Sequence, residues 1–271
     1  MIDDMVNADR QAGELCNDMK TNRPRLPNLF VLGAAKCGTT SLYSYLRQHP
    51  EIHMSPVKEP SFFCRQFQVV DNPIEYFGLF ACGAEKKAVG EASHVYFSNP
   101  ETPPVLHTLF PDARFIVVLR NPALRSYSLY RFMRMLGYET IASFEEALAA
   151  EDRRFDDPAF LADCPHYFWN FMYFRSSLYD EQLLRYFALY DRNRFFILSL
   201  AELAAAPGLW MEQIFRFLDV SPDAKIDYSP QNVSTYPEIA RQTQLMLEQR
   251  FAPMLARLPA LAGRHLDLAS R

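Results

Sequence analysis

Leu29-Phe-Val-Leu-Gly33-Ala-Ala-Lys36-Cys37-Gly38-Thr39-Thr40-Ser41-Leu42 reads as an apolar strand, a glycine-bounded loop and a helix that opens on hydroxyl residues. Such a loop turns successive backbone N–H groups toward one point, and the helix adds the positive end of its dipole, so the natural guest is a phosphate. Gly33 and Gly38 have the spacing of the nucleoside-triphosphate pattern G-x-x-x-x-G-K-[ST], but Thr39 stands in the lysine slot and the lysine lies inside the loop, at Lys36. That displacement counts against a Mg-nucleotide hydrolase or kinase, whose lysine reaches the β- and γ-phosphates. It leaves a phosphate cradle with its cation near the reacting end of a nucleotide. An ordinary strand-to-helix turn is the competing reading of this segment alone.

A second segment narrows the choice. Ala113-Arg-Phe-Ile-Val-Val-Leu119-Arg120-Asn121-Pro122 is a β-branched apolar run ending in arginine, and Pro122 is placed to open a helix that carries Arg125, Ser128 and Arg131. An arginine at a strand end and a serine eight residues on can converge on one anion. With Gly33–Leu42 and the intervening Lys58-Glu59-Pro60-Ser61-Phe62-Phe63, the chain resembles the sulfotransferases that use 3′-phosphoadenosine-5′-phosphosulfate. It is most similar to the carbohydrate (heparan sulfate) branch and its bacterial relatives, over roughly residues 27 to 257. The resemblance implies that Lys36, Cys37, Gly38, Thr39, Thr40 and Ser41 bind the 5′-phosphosulfate. It implies that Arg120 and Ser128 hold the 3′-phosphate, roles that suit the planar donor fork of an arginine and a hydroxyl.

The same resemblance makes Glu59 the general base on the acceptor hydroxyl. A carboxylate in an apolar, aromatic neighbourhood has a raised pKa and accepts a proton readily, which is the expectation here; a plain Lys58–Glu59 surface pair is the alternative. Gly90-Glu91-Ala92-Ser93-His94-Val95-Tyr96-Phe97 matches a segment beside the acceptor site of that branch, with Ala92 where the animal polysaccharide enzymes carry lysine and His94 where proline is usual. His94 reads equally as a second base, a substrate contact or a packed histidine, and Glu91 as a structural hydrogen-bonding partner. Lys36 is expected to stabilise charge on the leaving phosphate. The chemistry demands no metal and the cysteines form no C-x-x-C, so none is expected. The family's late Lys-Gly-Arg cofactor loop is replaced by Ser229–Pro237, with no basic residue before Arg241. A P-loop kinase and a catalytically degenerate nucleotide-binding protein remain the competing functions.

At 271 residues, 49% of them apolar, the chain can bury a full core, and its formal charge of −4 disfavours nucleic acid or a highly sulfated polyanion as partner. Arg114, Arg120, Arg125, Arg131 and Arg134 are expected to make a local positive pocket, and a small-molecule or glycan acceptor fits an acidic whole with a basic pocket. The five scattered cysteines suggest a reducing compartment, and the polar N-terminus and lack of long apolar runs suggest a cytoplasmic, bacterial enzyme with no membrane span. Residues 1–26 read as a flexible leader and 27–271 as one domain. Alternating strands and helices predict an α/β fold with a central parallel sheet covered by helices on both faces. Strands are expected near 28–33, 51–54, 87–90, 114–119 and 194–199. The longer helices are placed near 39–48, 122–136, 176–190, 207–218 and 238–257.

Overall fold

The computed structural model describes residues 26–229 and 238–268. Five strands, β1 (Leu29–Gly33), β2 (Ile52–Met54), β3 (Ala88–Ala92), β4 (Arg114–Leu119) and β5 (Phe195–Ser199), form one parallel sheet in the order β2-β3-β1-β4-β5. Leu29 pairs with Gly90 on one side and Arg114 on the other, and the β4–β5 ladder runs from Phe115–Phe195 to Leu119–Ser199. Every residue of β1 and β3 is buried. That is why these strands read as continuous apolar runs rather than alternating ones: helices cover both faces of a parallel sheet. Gly90 is needed where β3 lies against β1, because a Cβ there would come within 2.3 Å of the Leu29 carbonyl.

Helices follow each strand: α1 (Thr39–Arg47) after β1, α2 (Val95–Ser98) and α3 (Thr102–Leu109) after β3, and α4 (Pro122–Met135) after β4. The chain after β1 leads toward β2 on one side, whereas the chain after β4 leads toward β5 on the other. The order therefore reverses between β1 and β4, and at such a switch point the carboxyl ends of the strands leave a crevice for a ligand. The segments singled out in the sequence, Gly33–Ser41 and Arg120–Ser128, flank that crevice.

The structure departs from the sequence expectations in four places. The helix expected over 176–190 is shorter, Tyr179–Phe187, because a 3-10 turn at Arg175–Ser177 precedes it. The last helix runs from Arg241 to Ala262, through Pro253 and Pro259. Leu200–Ala205 is an extra helix, started by a capping box in which Ser199 and Glu202 satisfy each other's backbone N–H groups. Cys37, Cys64 and Cys164 are free thiols, but Cys82 is disulfide-bonded, which the scattered spacing does not reveal. Among the described residues, no helix is long and apolar enough to cross a membrane.

Candidate active site

The loop after β1 is shaped by two left-handed residues, Lys36 (φ 65°) and Gly38 (φ 83°). Gly38 is required twice over: by its φ, and because a Cβ would meet Leu200 Cδ1 at 2.6 Å. It starts α1 with no side-chain cap, so the first N–H groups of that helix remain for a ligand. The loop is pinned from below. Ala34 N donates to Val118 O (2.8 Å), and Cys37 is fully buried with its Sγ 4.0 Å from Tyr179 Oη. Burial pushes the Cys37 thiol up, and the buried side chain anchors the loop from below.

Lys36 Nζ lies 4.2 Å from the centre of the Phe132 ring. Among the described residues no carboxylate pairs with it. Burial, then the charges of Arg120 and Lys58, lower its pKa to about 8. Arg120, half-buried at the end of β4, also has no partner for its guanidinium among the described residues; its carbonyl accepts from Tyr179 Oη at 3.0 Å. Asn121 caps α4 by accepting from Ala123 N (3.0 Å) and Leu124 N (3.2 Å), with Pro122 in the first turn. This cap fixes the helix on which Ser128 sits, buried, two turns in.

The five arginines expected to share one pocket do not. Arg114 begins β4 and Arg120 follows its end, about 20 Å away at the rise of a strand; Arg114 donates to Phe217 O (2.8 Å) and pairs with Asp219. Arg134 donates to Glu139 O (2.8 Å). Arg125 is buried beneath the loop. Its Nε donates to Ala35 O (3.1 Å), and one terminal nitrogen donates to Ser176 Oγ (2.6 Å) and Ser177 Oγ (2.9 Å). Its hydrogen-bond partners are neutral, so its positive charge stands under the phosphate loop without an ion pair among the described residues. Sequence reading placed Arg125 in the pocket wall; its helical phase instead turns it inward.

The second corner of the site is built on Glu59. It has a left-handed φ of 60° and its N–H donates to Ala92 O (2.9 Å), which ties its loop to the end of β3. Oε1 accepts from Lys58 Nζ, and Oε2 accepts from both the backbone N–H (2.7 Å) and Nδ1 (2.9 Å) of His94. Burial alone would raise this carboxyl, but Lys58 and His94 outweigh it and hold it well below the usual carboxylate range. The raised pKa expected from the sequence is thereby overturned: the aromatic neighbours are there, but the adjacent cation and the histidine decide the charge. An ionised carboxylate accepts only, so Nδ1 of His94 donates its proton to Glu59, and Nε2 is the ring nitrogen that the carboxylate does not engage.

His94 is not a remote packed histidine. Its Cα and carbonyl oxygen lie 3.3 Å from the point where a Cβ on Gly33 would stand, against the start of the phosphate loop. His166 comes to the same corner from the 151–174 segment, with its pKa lowered to about 4 by burial and by His94. Its ring packs against Phe67 (4.5 Å between centres) and Tyr138 (4.7 Å); lone ring residues in irregular sequence gave no signal for this contact. Of the late loop, residues 230–237 lie outside the described residues. Among the described residues no cluster of histidine, cysteine and carboxylate side chains could hold a metal ion.

The sulfotransferase domain family matches residues 26–239. Carbohydrate sulfotransferase 15 of Homo sapiens is 29% identical over 296 residues, covering 86% of this chain and 53% of that protein. The bifunctional heparan sulfate N-deacetylase/N-sulfotransferase 2 of Bos taurus is 28% identical over 209 residues, covering 73% of this chain and 22% of its own length. This chain thus spans about half, or less, of the length of these relatives. A sulfotransferase from Alicyclobacillus acidocaldarius superposes with a TM-score of 0.78 at 33% identity, over 89% of this chain and 98% of that one. The chain belongs to the sulfotransferase domain family.

Proposed function

We propose that this protein transfers a sulfuryl group from 3′-phosphoadenosine-5′-phosphosulfate to a hydroxyl or amine of a carbohydrate or natural-product acceptor. The observation that carries the reading is a pair of cations, Lys36 and Arg120, that meet no carboxylate among the described residues and are gathered with an uncapped helix start at the β1/β4 switch point. Unpaired cations in a half-buried crevice fit a polyanionic nucleotide. Backbone N–H groups of Gly38, Thr39 and Thr40, with the hydroxyls of Thr39, Thr40 and Ser41, would hold the 5′-phosphosulfate. Arg120 and Ser128 would hold the 3′-phosphate. The nucleotide supplies an activated sulfuryl group on a phosphate leaving oxygen.

Lys36 then stabilises the charge that grows on that oxygen, and Arg125 adds a fixed positive charge below the loop. The acceptor proton goes to Nε2 of His94, while Glu59 fixes the tautomer and stabilises the imidazolium. Two features support this division over Glu59 as the direct base: both Glu59 oxygens are occupied, and its carboxylate is held ionised, hence weakly basic. The carbohydrate preference draws on the named relatives.

Calorimetric titration with adenosine 3′,5′-bisphosphate, against ATP with Mg, tests the donor. Micromolar binding of the bisphosphate with Mg without effect is expected; preference for Mg-ATP would return the chain to the kinases. For the proton, His94→Ala and Glu59→Gln should both spare bisphosphate binding and lower turnover by about 10²-fold or more. Full activity in His94→Ala alone would make Glu59 the base. Bisphosphate binding without turnover on any of a panel of sugar and amino-sugar acceptors would leave a binding protein.

A further inference from the structure

Glu91 is a carboxylate beside the site that the proposed reaction does not use, and it is fully buried on β3. Its Oε1 accepts from Tyr76 Oη (2.7 Å) and Tyr96 Oη (2.9 Å), and its Oε2 from Ser93 Oγ (2.5 Å). Two of these hydroxyls pass the polarity onward. Ser93 Oγ accepts from the backbone N–H of Ser61 (3.0 Å), and Tyr96 Oη from that of Phe63 (3.2 Å). Those amides belong to the loop that carries Glu59, in which Glu59 and Ser61 both adopt positive φ, 60° and 54°. Non-glycine residues hold such conformations only where their surroundings over-determine them. Phe62 stacking on Tyr76 (4.4 Å between ring centres) closes the cage.

We propose that Glu91 is a positioning residue that sets the Glu59–His94 pair by orienting the Ser93 and Tyr96 hydroxyls onto the Ser61 and Phe63 amides. Each hydroxyl has one proton. With that proton given to Glu91, its lone pairs face the loop; with the proton turned the other way, it meets an N–H donor and the contact fails. Only an acceptor at Glu91 enforces the useful direction. A glutamine in its place has nearly the same shape but offers an NH2 group to one hydroxyl, reversing that relay. Ser93 is also the residue before His94, so both halves of the pair hang from the same carboxylate. Burial, only partly offset by the three hydroxyl donors, raises Glu91 to about 7, so the acceptor form belongs to neutral and higher pH.

The role of the pair as base rests on the sulfotransferase reading, so the first readout is independent of turnover. Amide hydrogen exchange in the intact chain is compared for wild type, Glu91→Gln and Ser93→Ala. Loss of one relay should raise exchange at Ser61 or Phe63 about tenfold, the scale of a hydrogen bond, with the amides of β1 unchanged. Tyr76→Phe, which removes a donor that leads to no amide, should leave both sites near wild type. Unchanged exchange at Ser61 and Phe63 in both variants would overturn the proposal; so would a uniform rise across the sheet, which marks general destabilisation. In a turnover assay on the same variants, kcat should fall about tenfold while KM for the nucleotide stays within twofold. Loosened amides with unchanged kcat would detach Glu91 from the chemistry. Failure of wild type to bind adenosine 3′,5′-bisphosphate would sink the sulfotransferase reading and leave the exchange result standing.

Discussion

Arg120 and Arg154 are the same side chain put to opposite uses. Arg154, in the segment after α4, meets Glu139 through two nitrogens at 2.7 and 2.9 Å, and Tyr173 Oη donates to the same carboxylate at 2.8 Å. Arg120 stands at a strand end with no carboxylate among the described residues, and so does Lys36 at the neighbouring strand. On the reading proposed above, Arg154 is held by its anion, whereas Arg120 and Lys36 are kept for a ligand. Sequence alone shows these arginines as of equal standing; the ion pair with Glu139 separates them.

Three perturbations sharpen the contrast. Arg154→Ala leaves Glu139 buried without its partner and should cost about 3–5 kcal/mol of stability, seen as a lowered denaturation midpoint. Stability unchanged by that substitution would break the comparison from the structural side. Lys36→Ala should leave the midpoint within about 0.5 kcal/mol but lower turnover by about 10²–10³-fold, the loss of one transition-state donor. Near-wild-type turnover would remove Lys36 from the mechanism. The same residue sets a pH limit: its ammonium, with a pKa lowered to about 8, is present below that value and lost above it. The kcat/KM for the nucleotide, which reports the free enzyme, should therefore fall as pH rises through about 8, and this limb should vanish in Lys36→Ala. The smallest effect is expected for Arg120→Ala, about 10-fold to 100-fold in affinity for adenosine 3′,5′-bisphosphate, a charged hydrogen bond's worth, with adenosine 5′-phosphate almost unaffected. Equal loss for both nucleotides would mean that Arg120 supports the fold.

The parts of the molecule legible in sequence are those where the signal is local. Phe115–Leu119 is a continuous apolar run because both faces of the sheet are covered, and Asn121-Pro122 announces the helix after it. The Gly33–Ser41 loop declares itself by glycine spacing and hydroxyls. What sequence misreads depends on lateral contacts between distant segments. The carboxyl of Glu59 is governed by Lys58 beside it and by His94, 35 positions away, which is brought to it by the pairing of β2 with β3. Arg125 lies in a basic series, yet its rotation about α4 sends it under the loop rather than into the crevice. The contact of His166 with Phe67 and Tyr138 joins three irregular segments, for which no periodicity exists to read.

The three bonds of Arg125 also impose an order on synthesis. Ala35, whose carbonyl it holds, leaves the ribosome 90 positions before it, but the hydroxyls of Ser176 and Ser177 come about 50 positions after. A nascent chain that stops short of them contains the glycine loop, β1, β4 and the Ala35 carbonyl, but lacks both hydroxyl partners of the terminal nitrogen. The contacts that hold Arg125 beneath the glycine loop are thus complete only once the chain beyond residue 177 has emerged.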